Sequence, residues 1–149
     1  MARVDYWGIA QAIQRVLQEE TALQGVQVTI EDEGLFGAEA TPWVGIYIEG
    51  RTAPPDMQVL AAGRRTRMLV RFALWCWYMA LETEAAMRGR DDLVGKVEIA
   101  LMRDRTFEGA VATAWLEGGE LPSARLQQGS GFVSGAEIAL ICDVTARVD

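Results

Sequence analysis

The sequence predicts an α+β domain, in which a mixed and mostly antiparallel β-sheet carries two main helices packed on one face. Three observations predict this class. Two segments place apolar side chains at helical spacing, other segments alternate apolar and polar residues with a period of two, and glycine or proline falls between them. The predicted order is one helix, three strands, a second helix and three more strands.

The composition is that of one globular domain. The chain has 149 residues, of which 50% are hydrophobic and 23% are charged. A chain of this length can bury one substantial core, and it is too apolar to belong to the disordered class. We therefore expect a single domain over residues 1–149.

The first helix is predicted to begin after Asp5, a suitable N-cap, and to end before Gly25. Residues 26–31 alternate and predict a strand, and residues 43–49 predict a second one. Residues 31–39 and 51–56 are predicted loops, the second because of its paired prolines. If the two strands form a hairpin, these loops point the same way. The buried stripe of the helix is predicted to contain Ile9, Ile13, Val16, Leu17 and Leu23.

Residues 66–79 fit either a buried helix or a long strand. We predict a strand, because alternate residues then form a continuously apolar face that suits packing against helices. That face would contain Met68, Val70, Phe72, Leu74, Cys76 and Tyr78, and the opposite face Arg67, Leu69, Arg71, Ala73, Trp75 and Trp77.

The rest of the chain predicts a helix followed by three strands. Residues 81–103 are helical in pattern, with Leu93, Val97 and Leu101 in one row, although Gly89 and Gly95 weaken helix continuity. Residues 111–117 and 121–127 predict short strands joined as a hairpin by glycines at 118 and 119. Residues 135–147 predict the closing strand.

The sequence offers no catalytic constellation. It contains no histidine, which removes the usual general base, the nucleophile–histidine pairs and the commonest metal ligand. We expect no enzymatic activity, no cofactor and no metal site. Two acidic groups remain as alternatives for binding a hard cation, but a solvated loop and charges at a helix start explain them more simply. They are Glu31, Asp32, Glu33 and Glu39, and the pair Asp91 and Asp92.

Charge and hydropathy exclude further classes of partner. The net charge is -7, and the one dense basic run, residues 64–67, is too short for sequence-specific nucleic-acid binding. The apolar run 68–81 is interrupted by Arg71 and is too short to span a membrane. Residues 1–5 lack a secretory signal pattern, so we expect synthesis in a cytoplasm, with Cys76 and Cys142 reduced in the core.

Trp75 and Trp77 would share one strand face with Arg67 and Arg71. Aromatic and arginine side chains are enriched at interface hot spots, so this face is a candidate contact surface. The alternative is that both tryptophans are buried against a helix.

In the order and character of these segments, the chain resembles the tail terminator proteins of long-tailed bacteriophages, which include the lambda-like minor tail protein U. The likeness rests on the helix after Asp5, the long strand with Arg65 and Arg67 at its start, the helix end at residues 101–109 and the final strand 136–144. It covers most of the chain without a diagnostic motif.

The resemblance implies a non-enzymatic virion subunit. Such a subunit is made in the bacterial cytoplasm, forms a homo-hexameric ring on the tail tube protein, stops tail polymerisation and presents its other face to the head-tail connector protein. A closed ring needs two different complementary surfaces on each subunit. We expect an acidic loop and an arginine segment to supply them, although both also fit solvated loops. The residues concerned are Asp32, Glu33, Phe36, Glu39, Arg51, Arg64, Arg65 and Arg67.

Other functions remain open. Another neck protein or a minor tail protein would have a similar size and pattern. A small-molecule or peptide-binding module would use the tryptophan face as a pocket. A metal-dependent enzyme built on the acidic loop is disfavoured by the absence of histidine.

Overall fold

A computed structural model describes residues 2–32, 42–53, 65–127 and 131–148. The predicted α+β class is confirmed, with one mixed, mostly antiparallel sheet and two main helices. A short 3-10 turn at Thr21–Leu23 follows the first helix. In chain order the elements are β1 (Ala2–Arg3), α1 (Tyr6–Glu19), β2 (Gln27–Ile30), β3 (Trp43–Thr52), β4 (Arg65–Ala80), α2 (Thr83–Arg103), β5 (Thr113–Glu117), β6 (Arg125–Gln127) and β7 (Gly131–Val148).

Two long antiparallel strands form the centre of the sheet. β4 and β7 pair from Arg65↔Arg147 to Ala80↔Phe132, and the sheet order is β1-β7-β4-β3-β2. The other edge of β7 is shared, in succession, by β6, β5 and β1. The predicted strand over residues 66–79 is therefore correct, and β1 is an addition that the sequence pattern does not reveal.

β2 and β3 do not form the hairpin considered for them, because these strands run parallel, with Gln27 opposite Trp43 and Ile30 opposite Ile46. Residues 31–42 separate the strands, a connection of about the dozen residues that a parallel crossover requires. Parallel pairing also directs the chain out of both strands toward the same end of the sheet. β3 continues beyond the predicted end at residue 49 to Thr52.

The predicted hairpin of β5 and β6 is wrong. Each strand pairs with β7 and not with the other. Between them the chain runs along β7, where Glu137 N–H donates to the Glu120 carbonyl at 2.8 Å and Ala139 N–H donates to the Gly118 carbonyl at 3.0 Å. A β-carbon on Gly119 would overlap the backbone of Glu137, so glycine lets this segment run close beside β7.

The core lies between the helices and one face of the sheet. Val70, Phe72, Leu74 and Cys76 of β4 are fully buried on that face, as the alternation predicted. α1 begins at its predicted cap, where Gly8 N–H donates to Asp5 Oδ1 at 2.9 Å. The buried stripes of the two helices contain Ile9, Ala10, Ala12, Ile13 and Leu17 of α1, and Ala86, Leu93, Val97, Ala100 and Leu101 of α2.

The position of Asp91 and Asp92 in α2 differs from the predicted one. Asp91 and Asp92 lie in the middle of the helix and not at its start, so they do not stabilise an N-terminus. Asp92 instead pairs with Lys96 at 2.8 Å, one turn later. Gly89 does not interrupt the helix. A β-carbon at this position would overlap the ring of Tyr78, so glycine lets the helix approach β4 closely.

Both cysteines are free and buried, as predicted. Burial raises the pKa of the Cys76 thiol and of the Cys142 thiol to about 12 each. No helix among the described residues is long and apolar enough to cross a membrane.

Candidate interaction surface

The second face of the sheet forms the candidate site. Along β4, side chains alternate between the helix-packed core and this opposite side, and within the described residues both main helices lie on the core side. We call the opposite side the open face. Its larger side chains include those of Tyr47, Arg67, Leu69, Arg71, Trp75, Trp77, Trp115, Glu117, Glu137 and Ile141.

Two stacked tryptophans dominate the open face. The rings of Trp75 and Trp77 lie 5.3 Å apart between centroids, with 14° between their planes. Both side chains are half-buried and project away from the helices, so the tryptophans are not packed against a helix. They supply a flat, partly exposed aromatic surface of the kind enriched in protein interfaces.

A hollow of about 360 Å³ borders this stack, and we call it the tryptophan hollow. Its far wall is the extended segment between β5 and β6. This wall carries one carboxylate, one guanidinium group and a proline. The lining residues are Trp75, Trp77, Glu120, Pro122, Ser123, Arg125, Val133 and Gly135.

Arg90 fixes that wall from the helix side. Its side chain is buried, with 6% exposure, and Nη1 donates to the carbonyl oxygens of Pro122 at 3.0 Å and Gly135 at 3.3 Å. Asp91 pairs with the same guanidinium at 3.0 Å. Sequence reasoning missed this role. The available signal was position, since Arg90 falls in the buried stripe between Ala86 and Leu93.

Arg71 organises the carboxylates at the centre of the open face. Its Nε donates to Glu49 Oε2 of β3 at 2.8 Å, and its Nη1 lies 3.7 Å from Glu117 Oε2 of β5. The hydrogen bond to Glu49 raises the pKa of Arg71, burial opposes this, and the charges of Glu49, Glu137 and Glu117 add to the increase. One guanidinium thus faces three carboxylates.

Two of the predicted interface arginines, Arg67 and Arg51, form hydrogen bonds to other residues of the same chain. Arg67 Nε donates to both carboxylate oxygens of Asp143, at 2.8 Å and 2.7 Å, and the Asp143 side chain is only 10% exposed. Arg51 Nη1 donates to the Tyr6 hydroxyl oxygen at 2.8 Å, with the guanidinium 5.9 Å from the centre of that ring. Both side chains therefore already support the fold.

The other predicted interface residues are placed only in part. Asp32 is exposed, and its carbonyl oxygen accepts a hydrogen bond from the Tyr47 hydroxyl at 2.6 Å. Arg65 begins β4, so Arg51, Arg65 and Arg67 belong to the same end of the sheet. Glu33, Phe36, Glu39 and Arg64 lie outside the described residues.

The described part of the chain holds no group of acidic or cysteine side chains arranged to bind a metal ion. A comparison of the sequence with protein-family models finds no match, and a comparison with curated proteins finds none either. Function must therefore be inferred from the geometry and charge of the open face.

Proposed function

We propose that this chain is a structural subunit of a phage or phage-like tail and that it closes the end of the tail tube as a six-membered ring. The observation that carries the proposal is the open face, on which Trp75, Trp77 and Trp115 are partly exposed. Partly exposed aromatic side chains on one face of a small domain are typical of a contact with another protein. A neighbouring subunit would cover it.

The order of the elements supports the assignment to a tail terminator. One helix, three strands, a second helix and three strands is the order on which the resemblance to these proteins rests, and β4 and β7 supply the two long strands. The proposed partners are copies of this chain, the tail tube protein and the head-tail connector protein. The proposed place of action is the tail or neck of the particle, after synthesis in the bacterial cytoplasm.

A closed ring requires two unlike surfaces on each subunit. The open face, with its aromatic and acidic side chains, is one. The arginine-bearing end of the sheet, where Arg51 and Arg65 lie, is the other. Arg67 pairs with the nearly buried Asp143. A charge reversal at Arg67 would therefore disturb the fold as well as the interface. Arg64 and Arg65 are the better positions to change.

Negative-stain imaging of tail tubes tests this function. The cognate tail tube protein is polymerised with and without this chain, and tube length and tube ends are measured. We expect shorter tubes that end in a ring. A variant with Arg64→Glu and Arg65→Glu should cap poorly, while Arg15→Glu, on the exposed side of α1, should cap normally. Tubes that grow to full length with bare ends would contradict the proposal.

A second candidate function is suggested by the tryptophan hollow. A cavity of about 360 Å³ beside two stacked indoles is large enough for a small apolar ligand or a peptide side chain. A binding module of this kind would stay monomeric and bind an apolar fluorescent probe. Another neck protein or a minor tail protein would use the same surfaces as a terminator, but it would not lie on the tube end.

A further inference from the structure

We infer that the tryptophan hollow receives an arginine or lysine side chain of a partner protein. The inference rests on the proposed function only in that the open face is taken to be a contact surface. It concerns the chemistry of what that surface binds, which the resemblance and the fold leave open.

The aromatic part of the hollow suits a cation. Trp75 and Trp77 are half-buried, and their rings are nearly parallel, at 14°. Indole is the aromatic side chain that attracts cations most strongly over its face. A guanidinium group is planar and weakly hydrated, so it can lie on an indole and still direct its N–H donors outward.

The surrounding charges favour a cation over an anion. Glu120 lines the hollow. Glu137 of β7 is the direct cross-strand neighbour of Trp75, on the same face of the sheet. Glu120 N–H donates to Glu137 Oε1 at 3.3 Å, which holds the second carboxylate beside the segment that forms the wall. Glu49 and Glu117 add two further carboxylates on the same face, around Arg71.

Two guanidinium groups oppose these four carboxylates. Arg71 is already engaged by Glu49 and Glu117, so it adds little attraction for an anion. Arg125 is exposed at the rim of the hollow and repels an incoming cation. Glu120 lines the hollow and Glu137 is the cross-strand neighbour of Trp75, so two carboxylates stand against Arg125 around the stacked rings. The chain also carries a net charge of -7, so the local and the overall fields both attract a basic partner.

The test is a titration of the whole chain with N-acetyl tetra-arginine amide at low ionic strength. Tryptophan side chains are labelled with ¹⁵N, and the indole N–H signals are assigned with Trp75→Phe and Trp77→Phe. We expect the signals of Trp75 and Trp77 to shift with tetra-arginine, and not with tetra-glutamate or tetra-alanine. The signal of Trp7, which is 50% exposed on α1, should stay in place.

Variants at two exposed positions show whether a cation is favoured, because they should change tetra-arginine affinity in opposite directions. Glu120→Gln should weaken tetra-arginine binding roughly two- to fivefold, and Arg125→Gln should strengthen it by a similar factor, as for a single charge at a solvated site. Glu19→Gln, exposed on α1, should change nothing. The inference is overturned if tetra-arginine leaves Trp75 and Trp77 unshifted, or if both variants act in the opposite sense and tetra-glutamate binds.

Ring formation is scored separately, by the mass of the assembled protein. Tetra-arginine binding is measured on the single-subunit species, because a ring would cover the open face. A chain that forms hexamers, but whose single subunits leave the Trp75 and Trp77 signals unshifted, would overturn this inference and leave the proposed function standing. A chain that binds tetra-arginine but stays a monomer even when tail tubes are added would support this inference and contradict the ring.

Discussion

The indole of Trp77 lies against the backbone of Gly135, in the space that a β-carbon on residue 135 would fill. Tyr47 covers Gly45 of β3 in the same way. Gly45 is also the direct cross-strand partner of Trp75. Glycine therefore stands where an aromatic ring is to lie flat on the sheet. These aromatic–glycine contacts give the open face its flat aromatic surface.

Gly135→Ala should displace the Trp77 indole. We expect a loss of about 1–3 kcal/mol in the free energy of unfolding, because a methyl group is forced into filled space. Urea unfolding measures the loss, and near-ultraviolet circular dichroism should show a weaker tryptophan signal. Gly118→Ala is the control, since a β-carbon there meets nothing within 4 Å. Equal stability of the two variants would contradict this packing.

Two glycines of α2 should respond in opposite directions to alanine. Gly89→Ala should destabilise the protein by about 1–3 kcal/mol, because the new methyl group overlaps the Tyr78 ring. Gly95→Ala should stabilise it by about 0.5–1 kcal/mol, since a β-carbon there meets nothing within 4 Å and alanine favours a helix. Thermal unfolding of the pair checks the prediction, and a stabilising Gly89→Ala would show that the helix does not approach β4 this closely.

Arg67→Met should destabilise the fold by about 1–2 kcal/mol, because the Asp143 carboxylate, 10% exposed, loses its guanidinium. This loss is smaller than the one usual for breaking a fully buried ion pair, because the Arg67 side chain is 39% exposed and solvent screens the pair. Arg88→Met is the matched control. Its ion pair with Glu84 is 80% and 72% exposed, so the change should stay within about 0.5 kcal/mol. If the two variants unfold at the same denaturant concentration, the assigned role of Arg67 is contradicted.

Stability should fall in alkaline solution because of the two buried thiols. An unfolded thiol titrates near pH 8.5, whereas burial raises the folded pKa of Cys76 and of Cys142 to about 12. Between these values the unfolded chain loses protons that the folded chain keeps, so stability is complete below the lower value and decreases as pH rises. In this pH range each thiol should lower the free energy of unfolding by up to about 1.4 kcal/mol per pH unit.

The measurement is urea unfolding at pH 7 and pH 10 for the natural chain and for the variant carrying Cys76→Ala and Cys142→Ala. The variant should be less stable at pH 7 but should lose less between the two pH values. Equal losses would contradict burial of both thiols.

The sequence was most informative where a single element determines the pattern. Alternation along β4 correctly predicted that Val70 and Phe72 are buried and that Trp75 and Trp77 share the other face. The stripe of α2 was predicted for the same reason, since each pattern follows from local geometry. The face shared by the two tryptophans was therefore predictable from the sequence alone, whereas burial of that face against a helix remained an alternative until the structure was known.

Pairing between distant elements was not accessible in the same way. The parallel pairing of β2 with β3 and the separate pairing of β5 and β6 with β7 depend on which backbone groups of the neighbouring strand are available. The wall of the hollow is an extended segment without periodicity, held by Arg90 from another element. A local pattern carries no information about such a contact.

The mass of the purified chain by native mass spectrometry, across a concentration series and with tail tubes added, tests the proposed ring most directly. The account predicts a complex of six subunits, either in the chain alone or once tubes are present. A mass that stays at one subunit of 16.4 kDa under every condition would contradict it.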